Sequence, residues 1–91
     1  MFHLAAMALN ACSRHPVSCH RVNVGGTLNV LEAARRAGAK VVFSSASAVY
    51  GETRTTSDES QPLAPSSLYG ASKIAGESYV RAYGVEYGLS T

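Results

Sequence analysis

The segment between Pro16 and Gly38 constrains this chain more than any other. Residues 17–37 have helical periodicity, and their apolar residues fall on two faces rather than one. Val24, Leu28 and Leu31 share one face; Val22, Gly26, Val30, Ala33 and Ala37 share a second. Only a narrow polar stripe remains, formed by Arg21, Asn29, Glu32 and Arg36. Such a helix must be covered on two sides, one by a sheet and the other by a neighbouring helix or a second subunit. Pro16 suits its first turn and Gly38 its end.

A short β-branched run follows directly, Lys40-Val41-Val42-Phe43-Ser44-Ser45. It has the composition of a parallel strand buried on both faces. Residues 1–6 read as the end of another buried strand, and 7–16 as a loop or short turn of helix. Residues 51–66 are rich in Thr, Ser and Pro and read as a long surface loop. A second helix is expected over 67–87, with a third strand starting at Leu89. Strand, helix, strand, loop, helix, strand is the α/β order with a parallel sheet.

Composition excludes several classes. The chain has 91 residues, 46% hydrophobic and 15% charged, which indicates one globular domain at most. Its net charge is +2, and only Arg35 and Arg36 are adjacent basic residues, so no nucleic-acid face is expected. No apolar stretch reaches the roughly 18 residues of a membrane span, and the start lacks the charged region of a signal peptide. A cytoplasmic location is the expectation. Cys12 and Cys19 do not have a zinc-pair spacing, and two reduced cysteines are expected.

The chemistry lies in Tyr69-Gly70-Ala71-Ser72-Lys73. Residues four apart on a helix sit one turn above each other, which brings an ammonium to a phenol. A nearby cation favours the phenolate, giving a base suited to a sugar or alcohol hydroxyl. Loss of hydride from the same carbon needs an acceptor that no side chain supplies, which implies a nicotinamide cofactor. Alone, the Tyr-x-x-x-Lys pattern recurs by chance in many helices. Its context is what gives it weight.

That context is a resemblance covering nearly the whole chain. His3-Leu4-Ala5-Ala6, Asn23-Val24-Gly25-Gly26-Thr27 with Leu31-Glu32-Ala33-Ala34, Phe43-Ser44-Ser45 with Ala48-Val49-Tyr50-Gly51, then Glu59, Pro62, Pro65 and Ser67, and finally Tyr69 to Lys73 occur in order. Together they resemble the NAD-dependent epimerase/dehydratases of the extended short-chain dehydrogenase/reductase type, the group of UDP-glucose 4-epimerase. The resemblance implies a partial Rossmann-like, doubly wound parallel sheet, the second half of an NAD-binding domain. It implies Tyr69 as the acid/base and Lys73 as the group holding the phenolate and the nicotinamide ribose. Asn23 would support the cofactor-side backbone, with Ala5 and Ala6 approaching the cofactor through main-chain atoms. The cofactor would be NAD, with NADP left open, and the substrate a nucleotide sugar or a related small hydroxylated compound. The two helices would pair two copies into a homodimer. His3 is expected to be a core histidine, and His15 and His20 surface residues.

One departure concerns the strand end. The family's Ser or Thr four residues before the Tyr of Val-Tyr-Gly is Ala46 here. Ser45 is the candidate to replace it, if a bulge turns it or Ser47 inward. The sugar 4,6-dehydratases carry Thr-Asp-Glu at this place, whereas this chain has Ala46-Ser47-Ala48. Epimerisation or simple alcohol oxidation is therefore expected rather than dehydration. The glycine-rich pyrophosphate turn and a C-terminal substrate domain are not expected within these residues, and the 91 residues alone are expected to bind cofactor poorly. The alternatives are a non-catalytic helix-pair interaction module and a shorter single-domain dehydrogenase, in which Thr56 would have to serve as the serine.

Overall fold

The computed structural model describes residues 1–52 and 56–91. Residues 53–55 of the expected surface loop lie outside them. In chain order the elements are β1 (Phe2–His3), α1 (Leu9–Arg14), α2 (Pro16–Cys19), a π-helical segment (His20–Gly25), α3 (Gly26–Ala37), β2 (Val42–Phe43), a 3-10 turn (Ser47–Tyr50) and α4 (Leu68–Tyr87). The two strands are parallel, with Phe2 opposite Val42 and His3 opposite Phe43. This is a βαβ unit in which the helices form the crossover.

The helix expected over 17–37 is present as one helical path made of three windings. Pro16 is at its first turn, and Gly38 closes it at φ 62°. That left-handed conformation is available to glycine without a Cβ penalty. Its inward row is Val24, Thr27, Leu31 and Ala34, all buried. The row assigned to a second covered face is more open: Val22, Ala33 and Ala37 are exposed. Leu31, Ala34 and Val41 form the core, with Val30, Val80, Tyr83 and Leu89 packed around it. A polar bond joins the helices: the Tyr83 hydroxyl donates to Glu32 Oε1 at 2.9 Å. Arg35 forks onto the same Glu32 carboxylate at 3.0 and 3.1 Å.

Two expectations are corrected. The third strand at Leu89 does not form, because pairing there is limited to the Ser90 carbonyl, which accepts the Val41 N–H at 2.9 Å. Cys12 and Cys19 are not reduced but bonded to each other. The chain reverses at His15-Pro16 between α1 and α2, which brings their Cα atoms to 4.8 Å and both side chains into the interior.

Candidate functional site

α4 begins at Ser67, whose Oγ accepts the Gly70 N–H at 3.0 Å. This N-cap fixes where the helix starts and places Tyr69 in its first turn. The start of the helix lies directly against the end of β2 and the 3-10 turn, and glycines make this possible. A Cβ on Gly70 would lie 2.4 Å from the Ala48 carbonyl oxygen, and one on Gly76 would lie 2.5 Å from the Phe43 ring. A side chain at Gly70 would have to displace the backbone of the 3-10 turn, and one at Gly76 would have to displace the Phe43 ring.

Lys73 reaches across this contact. It is only 4% exposed, and its Nζ donates to the Ser44 carbonyl at 2.8 Å. The same nitrogen is 5.0 Å from the centre of the Phe43 ring and 5.8 Å from that of Tyr69. Burial pushes the Lys73 ammonium below the usual lysine range. Among the described residues no carboxylate forms an ion pair with it. One turn further along α4, the Glu77 carboxylate accepts a hydrogen bond from Ser45 Oγ.

The other strand end is held by Asn23. This buried side chain accepts the Met7 N–H at 2.7 Å and donates to the Met7 carbonyl at 3.1 Å. Its Nδ2 is also 2.9 Å from Ser72 Oγ, and Ser72 in turn donates to the Tyr69 carbonyl at 2.7 Å. One amide therefore ties the chain after β1 to the first turn of α4. Ala5 and Ala6 precede Met7, and both are exposed. His3 is buried, with Nε2 at 2.9 Å from Thr27 Oγ1, in keeping with a core histidine. Burial, and secondarily the Lys73 charge, hold its imidazole below the ordinary value. His15 and His20 are exposed.

The predicted residues thus fall into two groups. Tyr69 and Lys73 are together with the strand end after β2; Asn23, Ala5 and Ala6 are together after β1. Ser45 is exposed, and its hydroxyl donates to Glu77. Ala46 is extended and caps the 3-10 turn. Ser47 opens that turn and lines a cavity of about 320 Å³ with Tyr50, Asp58, Glu59 and Glu77. Thr56, the serine substitute in the single-domain alternative, is exposed and lies outside any helix or strand. Glu77 and Ser72 were missed by the sequence reading. The four-residue step from Lys73 to Glu77 could have revealed the first; nothing local signals the second. Among the described residues no cluster of His, Cys, Asp or Glu could hold a metal, and no helix is long and apolar enough to cross a membrane.

The sequence profile of the NAD dependent epimerase/dehydratase family matches residues 1–91. The chain is 37% identical to the CDP-paratose 2-epimerase of Salmonella typhi, over 99% of this chain and 32% of that protein. Among solved structures, the UDP-glucose 4-epimerase of Thermus thermophilus, in complex with NAD, superposes with a TM-score of 0.90 at 42% identity. That match covers 97% of this chain and 30% of the other. The dTDP-glucose 4,6-dehydratase of Streptomyces venezuelae, with NAD and TYD bound, gives a TM-score of 0.90 at 37% identity, over 97% and 28%. The chain spans about a third of the length of each of these relatives. With two parallel strands joined through helices and a motif set matched from end to end, it is an α/β chain of Rossmann type that belongs to the NAD-dependent epimerase/dehydratase family.

Proposed function

We propose that this chain carries the proton-transfer centre of an NAD-dependent nucleotide-sugar epimerase, with Tyr69 as acid/base and Lys73 as its fixed cation. The observation that carries the reading is the placement of Lys73. Burying an ammonium that has a neutral carbonyl and two aromatic rings, one of them Tyr69, as its partners carries a desolvation cost. Such groups concentrate at sites of function.

The residues present fit the nicotinamide end of a dinucleotide. In open parallel sheets ligands bind beyond the carboxyl ends of the strands. Here those ends carry the small, exposed Ala5 and Ala6 on one strand and the Lys73 ammonium at the other. NAD, when bound, supplies the hydride acceptor and donor. Lys73 has donors left beyond the one given to Ser44 and would hold the ribose. Asn23 fixes the Met7 backbone, and so the course of the chain after Ala5 and Ala6. Tyr69 removes the proton from the sugar hydroxyl at its Oη and returns it after the sugar is reduced from the other face. Ala46-Ser47-Ala48 supplies no acid and base pair for elimination, which favours epimerisation or simple oxidation over dehydration.

The test is Tyr69→Phe and Lys73→Met in the full-length protein, assayed for interconversion of UDP-sugars. Loss of the acid/base should lower kcat by about a hundred- to ten-thousand-fold. Turnover retained in Tyr69→Phe would refute the assignment.

A second reading concerns assembly and is compatible with the first. The helices leave Val17, Val22, Leu68 and Tyr79 exposed at 65, 43, 48 and 40%. We infer that two copies pair through these helices. Light scattering should give a dimer mass that Val22→Glu lowers to a monomer.

A further inference from the structure

We propose that Ser45 is a positioning residue that keeps the Glu77 carboxylate away from Lys73, leaving the buried ammonium without an anionic partner. The inference rests on the Tyr69–Lys73 reading and deepens it. Glu77 lies four residues beyond Lys73 on α4, the spacing at which opposite charges on a helix ordinarily meet. They do not meet here. Glu77 accepts from Ser45 Oγ, and Lys73 donates to the Ser44 carbonyl. Two consecutive residues of the strand end therefore draw the anion and the cation to separate partners.

The separation matters because Lys73 is almost fully enclosed. In such surroundings a carboxylate in contact would dominate the ammonium, since charge pairs strengthen as water is excluded. A Lys73 paired with Glu77 would have its charge compensated before phenol or ribose arrived. Burial depresses its proton affinity, in line with the geometry, in which no carboxylate among the described residues pairs with it. Ala46 provides no hydroxyl at the position before Ser47, and the Ser45 O–H is donated to Glu77. The contribution of Ser45 runs through Glu77.

The experiment compares Ser45→Ala, Ser45→Thr, Glu77→Gln and the double variant Ser45→Ala/Glu77→Gln in the full-length protein. The first readout needs no cofactor: the titration midpoint of the Lys73 side chain, followed by NMR. A freed Glu77 raises this midpoint in Ser45→Ala, and the double variant brings it back. The second is calorimetric NAD affinity, expected to weaken in Ser45→Ala because a paired ammonium is less available to the ribose. It should recover in the double variant to the level of Glu77→Gln alone. Ser45→Thr retains the hydroxyl and should track the unmodified protein in both. An unmoved Lys73 midpoint in Ser45→Ala overturns the proposal. So does a loss that persists in the double variant, since Ser45 would then act directly. Either failure leaves the Tyr69→Phe result untouched, and an active Tyr69→Phe protein would leave the Lys73 titration free to decide the keeper role by itself.

Discussion

Asn23 binds Met7 through both atoms of its amide: Oδ1 accepts the backbone N–H at 2.7 Å, and Nδ2 donates to the carbonyl at 3.1 Å. A side chain on the crossover thus takes the place of a neighbouring strand for one residue of the chain leaving β1. The arrangement satisfies polar backbone groups that a loop would otherwise have to expose to water.

Replacing Asn23 by Ala strands the Met7 groups and removes a partner of Ser72. Each buried donor or acceptor left unpaired costs about 1–3 kcal/mol. We expect a loss of about 2–4 kcal/mol, read from a urea denaturation midpoint that falls with an unchanged slope. Asn23→Asp should be at least as damaging, because it removes the donor and places a carboxylate beside the Met7 carbonyl.

Gly70→Ala and Gly76→Ala should both destabilise, although alanine is the better helix former by about 1 kcal/mol. At Gly70 the new methyl meets the Ala48 carbonyl at 2.4 Å, and backbone cannot move aside cheaply. At Gly76 it meets the Phe43 ring at 2.5 Å, which can shift as a side chain. Thermal denaturation should show a loss of about 1–3 kcal/mol at Gly70 and a smaller one at Gly76.

His3 makes stability depend on pH in a defined direction. Its folded proton affinity is lowered, first by burial and then by Lys73. The unfolded chain therefore binds a proton that the folded chain resists, and acid favours unfolding. Stability should be full above the ordinary imidazole value of about 6.5 and decline as pH falls from there toward the folded value. His3→Gln should flatten that part of a midpoint-against-pH curve.

The Cys12–Cys19 link closes a short loop, with a sequence separation of 7. A loop of this size confers about 2 kcal/mol in the chain-entropy account. Reductant should lower the unfolding free energy by that amount in the unmodified protein and leave that of Cys12→Ala/Cys19→Ala unchanged.

What the sequence disclosed was local. Helical periodicity marked 17–37, Gly38 marked its end, and the step from Tyr69 to Lys73 placed both on one face of α4. Asn23 and the strand ends could be named because several short motifs occur in one order. Contacts between distant segments were not legible. Nothing in the run Lys40 to Ser45 shows that the Ser44 carbonyl faces Lys73 or that Ser45 answers to Glu77; these follow from the depth at which α4 seats, which Gly70 and Gly76 set. The cysteine pair was missed because its closeness depends on the reversal at His15-Pro16 and not on spacing. The strand expected at Leu89 was read from composition, but a strand needs a ladder, and only Ser90 offers a rung.

The π-helical winding from His20 to Gly25 acts as a phase shifter along the crossover. Upstream of it Cys19 faces the interior, within it Asn23 faces Met7, and downstream Leu31 and Ala34 face the core. A π-turn carries one residue more than a regular turn. At about 100° per residue, regular winding would carry Leu31 well away from the face of Cys19; the wider π-turn takes up the surplus and returns both to the inward side. The winding of this stretch therefore decides which side chains share an interior.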